Sequence, residues 1–190
     1  GTGGIAGQVG INTSFLVDSL GKRVFLFFLQ ISERPHLRGG FASGFFDSDG
    51  VATQDREVVV DGVLQGYFLN AYTARKLGMQ TTANAGGCHN LIVHPGKHDF
   101  QALLKKMGRG LLVTELLGQG INYVNGDYSR GAAGYWVEHG EIVHAVEEIT
   151  IAGNLSDMFR NIAAVGNDVL VRGSKQVGSI LVEKMKVAGS

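Results

Sequence analysis

The sequence predicts an α+β domain built mainly from antiparallel strands, with a few short helices. Three observations predict it. Asp61-Gly62 separates the β-prone runs 56–60 and 63–69, and His139-Gly140 separates 133–137 from 141–145. Asp-Gly suits a type I′ turn, which needs positive φ at both central residues and so favours a tight hairpin. Thirdly, strand and helix patterns do not alternate regularly, as a parallel, doubly wound sheet would require.

Residues 1–10 hold five glycines. We read 1–13 as a lead-in and 14–190 as the domain proper. The opening Gly-Thr-Gly-Gly has neither an initiator Met nor a basic-then-apolar segment, so a fragment without a signal peptide is expected. Residues 13–20 suit a short helix, capped by Asn12 or Thr13 and closed by Gly21. The Phe-rich run 24–31 reads as a buried strand. Loop-like 39–50 ends in the turn Asp47-Ser-Asp-Gly50. A helix over 71–77 follows Asn70 and stops at Gly78, and 90–93 is a strand.

Further along, Phe100, Leu103, Leu104 and Met107 keep the i, i+3, i+4, i+7 spacing of an amphipathic helix, ended by Gly108. Residues 111–117 and 148–152 read as strands. Asn154 is positioned to cap a helix over 155–163 whose apolar face is Leu155, Met158, Phe159 and Ile162, with Asp157 favouring its dipole. Strands over 169–171 and 179–187 close the domain, and shifting apolar parity between Val182 and Met185 suggests a bulge. Residues 149–153 faintly echo 185–189, as equivalent edges of a duplicated sheet would, or as two ordinary strands ending at glycine.

Composition narrows the function classes. Lys+Arg and Asp+Glu each number 17, which leaves no net positive charge for bulk nucleic-acid binding. The basic cluster Lys105, Lys106 and Arg109 sits at a helix end, where it complements the dipole. No apolar run reaches the ~18 residues of a membrane span. One cysteine, Cys88, excludes an internal disulfide and suits a reducing, cytoplasmic setting. At 44% hydrophobic residues a substantial core forms, and 29 glycines with two prolines imply turns and close backbone approaches.

Two groups of residues carry candidate chemistry. Cys88, His89, His94 and His98 are ligand types for zinc, but adjacent Cys88 and His89 point to opposite faces of a strand. A metal at Cys88 and His89 is therefore the runner-up, behind a buried cysteine with histidines at loop ends. The stretch 126–136 packs Ser129 and Arg130 between glycines. Arginine's fork suits a carboxylate or backbone carbonyls, so this loop is expected to line a cavity or a subunit contact; the plain alternative is a tight turn with an internal ion pair. Glu115 is a candidate base and Asn90 a candidate polar contact. No Gly-x-Ser-x-Gly elbow, Walker loop or His-Glu-x-x-His occurs.

Several stretches together resemble the PmbA (TldE) branch of the TldD/PmbA family. They are Asn84-Ala-Gly-Gly-Cys-His-Asn-Leu-Ile-Val93, Met107-Gly-Arg-Gly-Leu-Leu-Val-Thr-Glu115, Gly126-Asp-Tyr-Ser-Arg-Gly-Ala132, Glu148-Ile-Thr-Ile-Ala-Gly-Asn-Leu-Ser-Asp157 and Val165-Gly-Asn-Asp168. The resemblance runs from about residue 14 to the end and implies the β-rich C-terminal domain of a protein about twice as long. It implies a peptide-processing metalloprotease assembly in which the TldD branch holds zinc through a His-Glu-x-x-x-His helix and a late Cys. Here residues 174–182 offer no Cys, with Val177 the nearest counterpart. The expectation is a metal-free subunit, inert alone, that pairs with a TldD-type subunit or a second copy and handles extended peptides. Glycine-rich 86–90 and 131–134 are the expected sites for strand addition by such a peptide. Two alternatives are a metal-dependent peptidase in its own right and a protein-binding module, as the family's DNA gyrase modulator label suggests.

Overall fold

A computed structural model describes residues 14–189. The expected lead-in, 1–13, lies outside the described residues. In chain order the elements are β1 (Ile31–Glu33), β2 (Arg56–Val60), β3 (Val63–Leu64), α1 (Ala71–Lys76), β4 (Leu91–Val93), α2 (Phe100–Met107), β5 (Gly110–Leu117) and β6 (Asp127–Glu138). There follow β7 (Glu141–Asn154), α3 (Leu155–Arg160), β8 (Ile162–Val165), β9 (Leu170–Arg172), β10 (Lys175–Val177), β11 (Ile180–Val182) and β12 (Lys186–Ala188). Strands dominate and their ladders are antiparallel except β10 on β4, so the α+β, mainly antiparallel class holds.

Two compact units form. The first runs to His94 and takes in Val169–Val177; the second comprises Pro95–Asp168 and the chain from Gly178. In the first, six short strands are ordered β3-β2-β1-β4-β10-β9. Val58, Val59, Leu64, Tyr67, Leu69 and Ala74 form its core. The turn at Asp61-Gly62 has φ of 50° and 74°, as the type I′ reading requires. Gly62 is needed twice over, because a Cβ there would also overlap the carbonyl oxygens of Phe25 and Leu26.

That close approach explains one correction. Residues 24–31 are not a buried strand. Val24 and Phe25 donate their N–H groups to Gly62 O, Gly62 donates to Leu29 O, and the chain wraps around the hairpin turn. Only Ile31 joins a strand, and Phe27 is 67% exposed. Residues 14–20 are turns, not a helix: their bonds run i to i−3, from Val17 to Ser14 and Ser19 to Leu16, and Asp18 has φ of 63°. The hairpin's return arm ends at Leu64 instead of 69, since the chain turns off and Leu69 N–H is bonded by Thr82 Oγ1. Helix α1 forms as expected, with a capping box between Asn70 and Thr73 and Gly78 beyond its end at φ 66°.

The second unit has a four-stranded sheet, β12-β7-β6-β5, and the pair β11-β8. Helix α2 spans its expected residues, with Asp99 accepting from Ala102 N–H and Gly108 closing it. The hairpin at His139-Gly140 is longer than expected on both sides. Helix α3 stops at Arg160, not 163. Asn161 leaves helical geometry at φ −107°, ψ 20°, and Ile162, the last residue of the apolar stripe, is buried by a strand instead. The run 179–187 is likewise two strands, not one bulged strand: β11 pairs with β8 and β12 with β7. The echoing segments are partners in one ladder, Lys186 opposite Ala152 and Ala188 opposite Thr150. Strand β10, with its polar sequence Lys-Gln-Val, carries no apolar pattern that would announce it. Asp168 accepts the N–H and O–H of Ser179 at 2.9 and 2.6 Å, which ties the point where the chain leaves this unit before β9 to the point where it returns after β10.

Candidate functional site

The segment 84–93 is organised by a buried carboxylate. Glu33, on β1, is 2% exposed. It accepts from Arg56 Nε at 2.6 Å, Asn84 Nδ2 at 2.7 Å and the His89 backbone N–H at 2.8 Å. Arg56, on β2, also donates to Tyr67 O and Asn84 Oδ1, and its guanidinium lies 5.0 Å from the Phe68 ring centroid. One ion pair thus joins two strands to the loop that carries Cys88 and His89. A buried charge of this kind persists only when it is paired and hydrogen-bonded, as this one is.

Two further residues fix the loop's ends. Asp47 accepts from the N–H groups of Asp49, Val51 and Ala85 at 2.9 to 3.0 Å. Burial pushes its carboxyl up, but these backbone donors outweigh burial and hold it below the usual range. Asn90 is 1% exposed, with φ of 43°. Its Oδ1 accepts from Ala42 N–H, and its Nδ2 donates to Arg34 O and Ser43 Oγ. The structure therefore places candidate Asn90 as a pin for the loop 34–43, facing its own chain.

Beside it, Ser32 Oγ donates to Glu57 at 2.5 Å and lies 2.6 Å from His94 Nε2. A hydroxyl carries one hydrogen, so His94 Nε2 is the donor in the second contact. The Ser32 bond, together with Arg34, holds Glu57 below the usual carboxylate range. Cys88 is half-buried, and His89 Nδ1 lies 3.6 Å from Glu33. Among the described residues no three His, Cys, Asp or Glu side chains gather as metal ligands. Cys88, His89, His94 and His98 therefore do not fit a zinc site, which needs three or four such donors around one point.

Candidates Glu115, Ser129 and Arg130 lie in the second unit's sheet. Residues 127–132, expected as a loop leading into the strand 133–137, are part of that strand: β6 pairs on both sides, with β5 and β7. Arg130 Nη2 donates to Gly118 O at 2.6 Å and reaches Leu116 O at 3.4 Å. Ser129 N–H donates to Gly120 O at 2.7 Å. Both carbonyls belong to its own chain, and both are reached by the single nitrogen Nη2. A Cβ on Gly120 would overlap Ser129 O, and one on Gly134 would overlap Leu112 O, so the close backbone approach that the glycines permit is also internal. Glu115 is exposed on β5, opposite Ala133 and next to a bulge.

This corrects the expected strand-addition sites. Residues 131–134 lie in an interior strand with no free edge. Residues 86–90 are not a strand, and Gly86 and Gly87 hold φ of 96° and 122°. Among the described residues the free edges of the second unit's main sheet are β5 and β12. Below β5 lies an apolar groove of about 760 Å³, lined by Phe100, Leu103 and Met107 of α2, Leu111 and Val113 of β5, and Trp136 of β6.

Sequence reasoning missed Glu33 and Arg56. Ser32-Glu33-Arg34-Pro35 has no pattern that marks a buried acid. Asp47 did carry a signal, the Asp-Ser-Asp-Gly turn, whose Gly50 N–H bonds Asp47 O at 3.0 Å.

This sheet domain has close counterparts among known proteins. The model of the PmbA/TldA metallopeptidase C-terminal domain matches residues 5–189. The chain is 53% identical over 188 residues to metalloprotease PmbA of Escherichia coli O157:H7, covering 98% of this chain and 42% of that protein. It is 55% identical over 179 residues to the PmbA homolog of Haemophilus influenzae, covering 94% and 40%. It superposes on a crystal structure from Thermotoga maritima, labelled a modulator of DNA gyrase, with a TM-score of 0.86 and 43% identity over 96% of this chain and 44% of that one. The chain belongs to the PmbA/TldD metallopeptidase family and corresponds to its C-terminal domain. It spans 40 to 42% of the length of these two curated relatives.

Proposed function

We propose that this chain is the β-rich domain of a metal-free subunit in a PmbA/TldD-type peptidase assembly. In this reading it pairs with a TldD-type subunit that holds the zinc, and it works in the cytoplasm on extended peptides. The observation that carries the proposal is how its polar side chains are spent. Glu33 is committed to Arg56, Asn84 and His89, His94 to Ser32, and His36 to Thr53. Amide hydrolysis needs a metal-bound water or an activated nucleophile, and a lone exposed acid such as Glu115 supplies neither. The family membership supports the setting, and the internally satisfied sheets support a scaffolding role.

The test is co-purification of this chain with a TldD-type subunit, followed by peptide turnover of each alone and of the mixture. We expect turnover only with the TldD-type subunit present, with chelator abolishing it. Chelator-sensitive hydrolysis by this chain alone, lost on Cys88→Ala, would overturn the reading.

A further inference from the structure

We propose that Asn125 is a self-modifying site, an asparagine that deamidates through a cyclic imide and is held back by the turn it sits in. It is followed by glycine, as no other asparagine of the chain is. The attacking atom is Gly126 N, and with no Cβ on Gly126 little shields it. In the reaction Gly126 N bonds to Asn125 Cγ, while the Nδ2 group leaves as ammonia with the proton from Gly126. Water then opens the imide. Addition at Cγ gives aspartate at 125, and addition at the main-chain carbonyl carbon gives isoaspartate. No oxidant, metal or second protein takes part, and Asn125 is exposed, so water reaches it.

The turn engages both polar atoms of the side chain and the amide that attacks it. Asn125 Oδ1 accepts from the Asp127 N–H at 3.0 Å, and Nδ2 donates to Asp127 Oδ2 at 2.8 Å. The Gly126 N–H donates to Asn122 O at 2.8 Å, with Gly126 held at φ 83°. Imide formation has to turn the side-chain amide out of both Asp127 bonds and free the Gly126 N–H from Asn122. The turn therefore has to open before the chain can react.

The same residues latch three elements together. Asn125 O accepts from Asn154 Nδ2 at 2.9 Å, and Gly126 O accepts from the Leu155 N–H at 2.7 Å. Asn154 faces Asp127 in the β6–β7 ladder and caps α3 by accepting from the Ser156 N–H. Either product damages this latch. Aspartate loses the Nδ2 donor and sets a carboxylate against that of Asp127. Isoaspartate lengthens the main chain by a methylene, so the bonds from Gly126 to Asn122 and Leu155 no longer keep one register. Loss of ammonia is not reversed, so the change loosens the start of β6 and the cap of α3 in one direction only. This inference stands apart from the proposed peptidase role, since it needs neither a metal nor a second subunit.

The experiment incubates the full chain in mildly alkaline buffer, folded and urea-unfolded, beside a synthetic peptide of residues 121–129 in both buffers. Peptide mapping by mass spectrometry locates the conversion of amide to acid and separates aspartate from isoaspartate. We expect conversion at Asn125 ahead of every other asparagine in the unfolded chain, at the rate of the peptide. The folded chain should convert about tenfold more slowly or less, the factor that one to two net hydrogen bonds are worth. Asn154→Ala, which removes one strap of the latch, should bring the folded rate towards that of the peptide. Converted chain separated by ion exchange should show hydrogen exchange at the Leu155 N–H about fivefold faster, the loss of one net hydrogen bond, with α2 unchanged. A folded chain that converts as fast as the peptide would show that the turn holds nothing back. No conversion in the unfolded chain, or unchanged exchange at Leu155 after conversion, would equally overturn the proposal. These arms use the unaltered chain, so they decide the matter even if Asn154→Ala fails to fold.

Discussion

The two units reach stability by different routes. In the first, no strand among the described residues exceeds five residues, and side chains do the joining: Glu33, Asp47 and Asn90 bond backbone groups and partners far along the chain. In the second, β6 and β7 run 12 and 14 residues, and the backbone ladder itself carries the structure. Loop-rich segments have backbone groups with no ladder to join, and a buried acid or amide can satisfy several of them at once. Long strands have no such need, but they depend on backbones approaching closely. The first unit should therefore be sensitive to changes of polar side chains, and the second to added carbon atoms.

The sharpest way to break this comparison is Glu33→Ala. It takes the carboxylate from a half-buried Arg56, which keeps only Tyr67 O, Asn84 Oδ1 and the Phe68 ring, and it frees Asn84 Nδ2 and the His89 N–H, so a loss of about 3 kcal/mol is expected. Urea unfolding followed by far-UV circular dichroism measures it. A loss below about 1 kcal/mol, the level of an exposed pair, would show that the network does not hold the unit.

In the second unit the equivalent change is Gly134→Ala. One methyl group meets the Leu112 carbonyl across the β5–β6 ladder, and β5 must shift. A cost of about 1–3 kcal/mol is expected, as for other overpacked sites. Trp136 fluorescence follows it, since that residue lies two positions along the same strand. A neutral result would mean the ladder yields freely and the contrast with the first unit fails.

Asp47 gives the comparison a pH axis. Its folded carboxyl titrates below the ordinary value of 3.8. The stability it contributes is complete above the unfolded value and is lost as pH falls through the folded one. Asp47→Asn keeps the shape but presents an NH₂ group to one of the backbone donors, at a cost of about 1–3 kcal/mol at neutral pH. Comparing the two proteins from pH 7 down to pH 3, the gap between them should narrow on the acid side. A constant gap would mean that the charge contributes nothing.

How much of this is legible in the sequence follows the same division. Turn dipeptides and caps announce themselves locally, so Asp61-Gly62, His139-Gly140, Asn70 and Asn154 stand where the sequence puts them. Apolar runs are less reliable because burial is a tertiary outcome. Phe27 looks like strand core but is exposed, since the backbone beneath it follows the Gly62 turn. Ile162 fits a helical stripe but is buried by β8. Glu33 leaves no trace in the sequence at all: its partners lie 23, 51 and 56 residues away, and no local pattern links them. Residues 126–136 stand out correctly as unusual, but the sequence does not show that the backbone they approach is their own.

Arg130→Lys has the smallest expected effect and tests that last point. Arg130 lies in the ladder-built unit, yet it acts as a polar side chain, fastening the carbonyls of Leu116 and Gly118 onto β6. If ladders carry this unit, the fastening is secondary. Lysine keeps the charge and can still reach one carbonyl, but it lacks the planar fork. The loss should be about 0.5–1.5 kcal/mol, the net worth of one hydrogen bond. Melting temperature and peptide turnover in the reconstituted two-subunit mixture should be measured together. Because the guanidinium faces its own chain, we expect the melting temperature to fall slightly and turnover to follow only the folded fraction. A drop in turnover with no change in melting would instead return Arg130 to the groups that meet a ligand. A loss above about 3 kcal/mol would place it beside Glu33, and the second unit would then depend on polar side chains as heavily as the first.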